Sequence, residues 1–206
     1  PHATTAGSAG AHLQHFADAV EHPPQLVVVG VLHPHPGVGH VAGFDALRRR
    51  AGRRQVLVQS RTDLFGLDPK TGEVLWQHHQ KVPWNIHANI PVGTDNKLFY
   101  TAESGGGLIE IADGKTVKQV YTVPGPEVLH HGLIFKDGYV YGASFQKGPK
   151  LYCIDFATGQ EKWSTDTIGE ASVVYADGML YCYESPKKGL VHLVKCSPEK
   201  FEETGV

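Results

Sequence analysis

Methionine occurs once in these 206 residues, tryptophan three times and cysteine three times. The cysteines, Cys153, Cys182 and Cys196, are odd in number, never adjacent and without metal-ligand spacing. They read as small buried hydrophobes in strands, with a disulfide such as Cys153 to Cys182 left open and the redox compartment undetermined. A formal net charge of −2 gives no electrostatic footprint for nucleic acid and no polybasic patch for a membrane surface. No stretch approaches the run of about eighteen apolar residues that a membrane span needs. Phosphate loops, a Ser-His-Asp order and paired carboxylates at useful spacing are missing as well, so no catalytic motif announces itself.

Other absences are local. Residues 1 to 50 contain no Lys, Asn, Ile, Tyr, Trp, Met or Cys, every Arg lies at or before Arg61, and every Lys lies at or after Lys70. Such bias marks either a flexible low-complexity arm or a gene start translated out of frame or joined wrongly, and the second is the expectation here. Residues 1–51 are therefore set apart as an atypical, poorly ordered segment, and residues 52–206 are taken as the folded unit. Seven histidines lie between His2 and His40. No turn or helix signal fixes them in a metal geometry, so they read as adventitious. Arg48-Arg49-Arg50 is poor material for an inner strand and reads as a solvated cluster.

What is present is a repeat. Leu67-Asp68-Pro69-Lys70-Thr71-Gly72-Glu73-Val74-Leu75-Trp76 returns, class for class, as Ile154-Asp155-Phe156-Ala157-Thr158-Gly159-Gln160-Glu161-Lys162-Trp163, 87 residues on. The chemistry is that of a hairpin. An apolar strand meets an Asp that bonds its own backbone, Gly supplies a positive φ, and the return strand carries a large aromatic to bury. Half the spacing, roughly 43 residues, is within the period of propeller blades. The unit between agrees: Leu108 to Gly114 turns into Lys115 to Val123, with Tyr121 where the Trp would fall. A second beat, Asp95-Asn96, Asp137-Gly138 and Asp177-Gly178, recurs at 42 and then 40 residues, each before an apolar strand. Two hairpin turns per repeat make four strands per repeat. The expected fold is all-β: about four four-stranded blades of a β-propeller.

The Leu-Asp-x-x-Thr-Gly-x-x-x-Trp and Ile-Asp-x-x-Thr-Gly-x-x-x-Trp motifs resemble the PQQ-like repeat family, the quinoprotein alcohol dehydrogenase-like β-propellers. His130-His131-Gly132, Lys136 to Gly142 and Tyr175 to Cys182 resemble its bacterial branch of PQQ-binding-like repeat proteins. The resemblance covers about Gly52 to Val206. It implies a complete propeller of seven or eight blades, each blade's Trp docking on its neighbour, and hence that the remaining blades belong to a larger protein. It also implies an extracytoplasmic, periplasmic location. The structural repeat residues are then Asp68, Gly72, Trp76, Asp155, Gly159 and Trp163.

Pyrroloquinoline quinone and calcium enter by resemblance only. Dehydrogenases of the family hold them with carboxylate and amide ligands, an Arg and often adjacent cysteines; here no Arg follows Arg61 and no ligand set can be matched. Trp84, His87, His130 and His131 sit where inner strands begin, at the mouth of a central channel, and are the candidate ligand-binding residues. The competing reading makes them strand-end residues packing one blade on the next. Two functions follow: a non-catalytic platform for an unidentified protein or small molecule, which is preferred, and a fragment of a quinone- or metal-dependent oxidoreductase whose ligands lie in other blades.

Overall fold

The computed structural model describes residues 41–50, 52–60, 62–80, 91–102, 105–124, 132–144, 148, 150–184 and 189–206. These form sixteen strands and, among the described residues, no helix. The first sheet comprises β1 (Val41–Arg50), β2 (Arg53–Ser60), β3 (Asp63–Leu67) and β4 (Val74–His79). The second holds β5 (Val92–Gly93), β6 (Lys97–Ala102), β7 (Gly105–Ala112) and β8 (Thr116–Val123). The third holds β9 (Ile134–Lys136), β10 (Tyr139–Ala143), β11 (Leu151–Asp155) and β12 (Glu161–Thr165). The fourth holds β13 (Ala171–Ala176), β14 (Met179–Glu184), β15 (Val191–Lys195) and β16 (Glu203–Gly205). Each sheet is an antiparallel meander in chain order. The chain is thus a four-blade segment of a β-propeller.

Tight turns follow from their sequences. Asp113-Gly114, Asp137-Gly138 and Asp177-Gly178 all have both residues at positive φ, between 50° and 84°. That is the primed hairpin turn whose twist suits paired strands, and Asp and Gly tolerate it best. Asp95-Asn96 closes differently, with the Thr94 amide donating to the Lys97 carbonyl at 2.9 Å.

One expectation is revised. The arginine run was read as a poor inner strand, yet β1 pairs along its length with β2, Arg50 opposite Arg53 and Arg48 opposite Gln55, next to Gly52 at φ +75°. Backbone pairing across a tight turn is indifferent to charge on the side chains, and local composition was a poor guide to it. Residues 1–40, with their histidines, lie outside the described residues.

Three apolar layers separate the four sheets. Leu57, Leu64 and Trp76 of the first sheet meet Leu98, Tyr100, Ile109 and Ile111 of the second. Phe99 and Leu108 of the second meet Val140, Ile154 and Phe156 of the third. Tyr141, Leu151, Cys153 and Trp163 of the third meet Val173, Leu180, Cys182 and Val194 of the fourth. Each face is one half of an alternating strand pattern, so a single-residue slip would turn the apolar set out to solvent.

Candidate functional site

Trp84, His87, His130 and His131 lie outside the described residues. The repeat residues are all described, and Trp76, Gly159 and Trp163 among them stand at the junctions between sheets.

The two Asp-x-x-Thr-Gly loops have one construction. Asp68 Oδ1 accepts from the Lys70 amide at 2.8 Å and the Thr71 amide at 3.2 Å, and the Gly72 amide, at φ +75°, donates to the Asp68 carbonyl at 2.9 Å. Asp155 Oδ1 accepts from the Thr158 amide and hydroxyl, both at 2.9 Å, and the Gly159 amide, also at φ +75°, donates to the Asp155 carbonyl at 2.8 Å. These donors hold both carboxyls below their ordinary value. At Asp68 the Lys70 amide is the main cause; at Asp155 burial pulls upward and the Thr158 and Ala157 donors outweigh it.

A register position links loop to aromatic. Gly66, Leu108 and Cys153 on the third strands stand opposite Trp76, Tyr121 and Trp163 on the fourth. Trp76 and Trp163 are 3% and 9% exposed. The Tyr121 hydroxyl donates to the Phe156 carbonyl at 2.7 Å, one sheet on, and a Cβ on Gly159 would come 2.7 Å from its ring. Gly159 therefore does two things: it adopts a left-handed φ, and it leaves room for the preceding sheet's aromatic. Trp163 Nε1 likewise donates forward, to the Ser197 carbonyl at 2.8 Å in the β15–β16 connection.

Trp76 departs from this pattern. Its Nε1 donates at 2.6 Å to Gln55 Oε1 within its own sheet. In the second sheet the β7–β8 connection is the short Asp113-Gly114 hairpin, and the Ala112 carbonyl already accepts from the Lys115 amide at 3.1 Å. The indole lies across Gly66, where a Cβ would stand 2.1 Å from Nε1.

Two polar clusters also stand out, neither legible in the sequence because each depends on register between distant strands. In the first sheet the Asp63 carboxylate receives the Thr62 hydroxyl at 2.5 Å and Gln77 Nε2 at 2.9 Å, and faces His79 Nδ1 at 3.3 Å. Burial pushes the Asp63 carboxyl upward, but these partners together hold it below its ordinary value. Nearby, Gln59 Nε2 donates to the Thr101 carbonyl at 2.9 Å, and burial lowers the affinity of His78 for a proton. In the fourth sheet His192 stands between Glu184 and Glu203.

Quinone and calcium, implied by the resemblance, do not fit the donors that are described. Asp68, Asp113 and Asp155 are bound to their own turns, Asp63 to Thr62, Gln77 and His79, and Glu184 and Glu203 to His192. No three His, Cys, Asp or Glu among the described residues converge on one ion. Cys153, Cys182 and Cys196 are free thiols, Cys196 one residue past the end of β15, so the Cys153 to Cys182 disulfide is not formed. No helix of the described residues is long and apolar enough to cross a membrane.

Comparison with known proteins adds a family. The PQQ-like repeat model described as outer membrane protein assembly factor BamB matches residues 40–165 and 106–195. No curated protein matches the chain. Among solved structures, BamB from Moraxella catarrhalis is 18% identical with a TM-score of 0.49, over 72% of this chain and 44% of its own. The computationally designed Ika4 protein is 17% identical with a TM-score of 0.57, over 85% of this chain and 100% of its own. The Cps50 (Swd1) β-propeller domain of Myceliophteria thermophila is 12% identical with a TM-score of 0.53, over 80% of this chain and 58% of its own. The chain spans less than half the length of the BamB structure.

Proposed function

This chain belongs to the PQQ-like repeat β-propeller family, and from that premise we propose that it is a non-catalytic propeller segment serving as a binding platform for a protein partner. The observation that carries this reading is the family match, whose description names an outer membrane protein assembly factor. Assembly is work done through surfaces, and such surfaces are apolar patches that a partner covers. The same description supports a location outside the cytoplasm. With β1 in the first sheet and the match starting at residue 40, the repeat region is proposed to begin near Val41 rather than at Gly52.

The fourth sheet carries an exposed apolar face of a different kind. Val174, Tyr183 and Val191 are 61%, 50% and 42% exposed on the face away from the third sheet. By strand register Tyr183 and Val191 correspond to Ala143 and Leu151, which are fully buried between the third and fourth sheets. We take this face as the seat of a further blade of the same repeat, with the platform surface on the completed propeller.

The test is made on the full-length protein purified from its host. Crosslinking with mass spectrometry should identify a protein partner, while absorbance and elemental analysis should find no stoichiometric quinone or calcium. Equimolar quinone with calcium would overturn the platform in favour of the oxidoreductase.

A further inference from the structure

Every arginine of the chain falls between Arg48 and Arg61, and all but Arg61 lie on the β1–β2 hairpin. Strand register shows how that hairpin differs from its counterparts. Val56, Leu98, Val140 and Leu180 hold equivalent places on the second strands, opposite Leu67, Ile109, Ile154 and Val194 on the third. One residue earlier stand Gln55, Lys97, Tyr139 and Met179. In the last three sheets the turn comes immediately before that residue, at Asp95-Asn96, Asp137-Gly138 and Asp177-Gly178. In the first sheet the hairpin runs on. Beyond Arg48 opposite Gln55 it adds Arg49 opposite Arg54 and Arg50 opposite Arg53, and only then turns at Ala51-Gly52. Two extra pairs lengthen it by about 7 Å, at roughly 3.3 Å per residue, and all four residues in them are arginine.

This extension does nothing for the folded core. Arg53 and Arg54 are exposed and belong to none of the three apolar layers. Like charges in register across a strand pair cost stability. Arg53 Nη2 stands 3.7 Å from Asp68 Oδ2, but at 46% exposure such a pair contributes little. The Gly52 amide donates to Asp95 Oδ2 at 3.4 Å, which sets the tip against the turn of the second sheet. Where the other sheets turn on an aspartate, the first therefore carries a longer tip of the opposite charge.

We infer that the tip of the β1–β2 hairpin is a docking finger for an acidic segment of the platform's protein partner, an inference that rests on the platform reading above. Arginine suits the task better than lysine: its planar guanidinium gives two parallel N–H groups to a carboxylate and is less strongly hydrated. Arginine is also among the residues that carry most of the energy of protein interfaces. The surroundings select the form of the anion. At the same end of the molecule the Asp137 side chain is 77% exposed on the third sheet's turn, and Asp177 is exposed on the fourth. A membrane surface or a nucleic-acid duplex laid across that end would press its phosphates onto these carboxylates. A segment with a few acidic side chains reaches the finger alone.

Fluorescence anisotropy of a labelled oligoglutamate peptide with the full chain tests the finger, in about 10 mM salt, where screening is weak. The native chain should bind the peptide, and less tightly as salt rises. Arg53→Gln with Arg54→Gln should bind about tenfold more weakly, the equivalent of two surface ion pairs, with an unchanged urea midpoint. Lys118→Gln with Lys162→Gln removes the same charge from the outer strands β8 and β12 and should bind like the native chain. No binding by the native chain, or an equal loss in the two variants, would overturn the finger. So would retention on phosphatidylglycerol vesicles that is lost in the arginine variant, which would make the ligand a membrane surface. Each of these outcomes bears on the finger alone; equimolar quinone with calcium would remove the platform whatever the peptide does.

Discussion

Trp76 and Trp163 hold the same register position, yet Trp76 donates to Gln55 inside its own sheet while Trp163 donates to Ser197 in the next. The layers around them differ in part. Between the third and fourth sheets the buried cluster holding Trp163 includes Tyr141, Ala143, Leu151, Cys153, Ile168 and Val173, with Glu184 and His192 also buried on the fourth sheet. Between the first and second, buried Gln55 and Gln59 share the layer with leucine and isoleucine. The repeat motif therefore does not decide how its aromatic docks. The receiving turns differ as well: the β15–β16 connection presents the Ser197 carbonyl to Trp163, whereas the second sheet turns through the two-residue Asp113-Gly114 hairpin and Trp76 bonds Gln55 instead.

The sharpest way to break this comparison is at the residue opposite each indole. Gly66→Ala puts a methyl 2.1 Å from Trp76 Nε1 and 2.5 Å from Gln55 Oε1, so the indole must leave. Urea unfolding should show a loss of about 3–5 kcal/mol, the range for vacating a buried aromatic site, with a red-shifted tryptophan emission. Cys153→Ala, at the matching position opposite Trp163, removes one small group and should cost on the order of 1 kcal/mol. Equal costs would mean that the two indoles sit alike.

A smaller effect is expected where the hydrogen bond goes and the ring stays. Tyr121→Phe loses the donor to the Phe156 carbonyl and should cost about 0.5–1.5 kcal/mol in the same assay. An unchanged midpoint would remove the cross-sheet bond from the account.

The smallest effect is on pH dependence. The Asp68 and Asp155 carboxyls are held below their ordinary value in the folded chain, so their contribution to stability is present above that value and is lost as pH falls through the folded one. Acid unfolding curves should therefore steepen below about pH 4, the ordinary range of an aspartate. Asp68→Asn and Asp155→Asn should each flatten the curve slightly and lower stability at neutral pH toward its acid value, since the carboxylate's contribution is gone at every pH.

Much of the architecture was legible because its determinants are local. Asp155, Thr158 and Gly159 bond one another within five residues, and Asp137-Gly138 sets its own turn, so hairpins, strand count and period could be read from spacing alone. The junction partners were not legible. Gly66 matters because Trp76 lies across it, and Gln55 matters because β2 and β4 flank β3, so that the indole reaches over Gly66 to it; neither carries a local signal. His192, Glu184 and Glu203 come from three strands and meet only through register. β1 was missed for the opposite reason, since arginine-rich composition outweighed pairing in the reading.

The most direct test of the central claim, that the Gly159 turn of the third sheet seats Tyr121 of the second, is a double-mutant cycle between Tyr121→Ala and Gly159→Ala read by urea unfolding. With Tyr121 present, Gly159→Ala meets both a left-handed φ and the tyrosine ring at 2.7 Å. Without the ring only the backbone strain remains, about 1 kcal/mol, so the two changes should couple by about 1 kcal/mol or more. The same cost for Gly159→Ala in both backgrounds, within about 0.3–0.5 kcal/mol, would contradict the account.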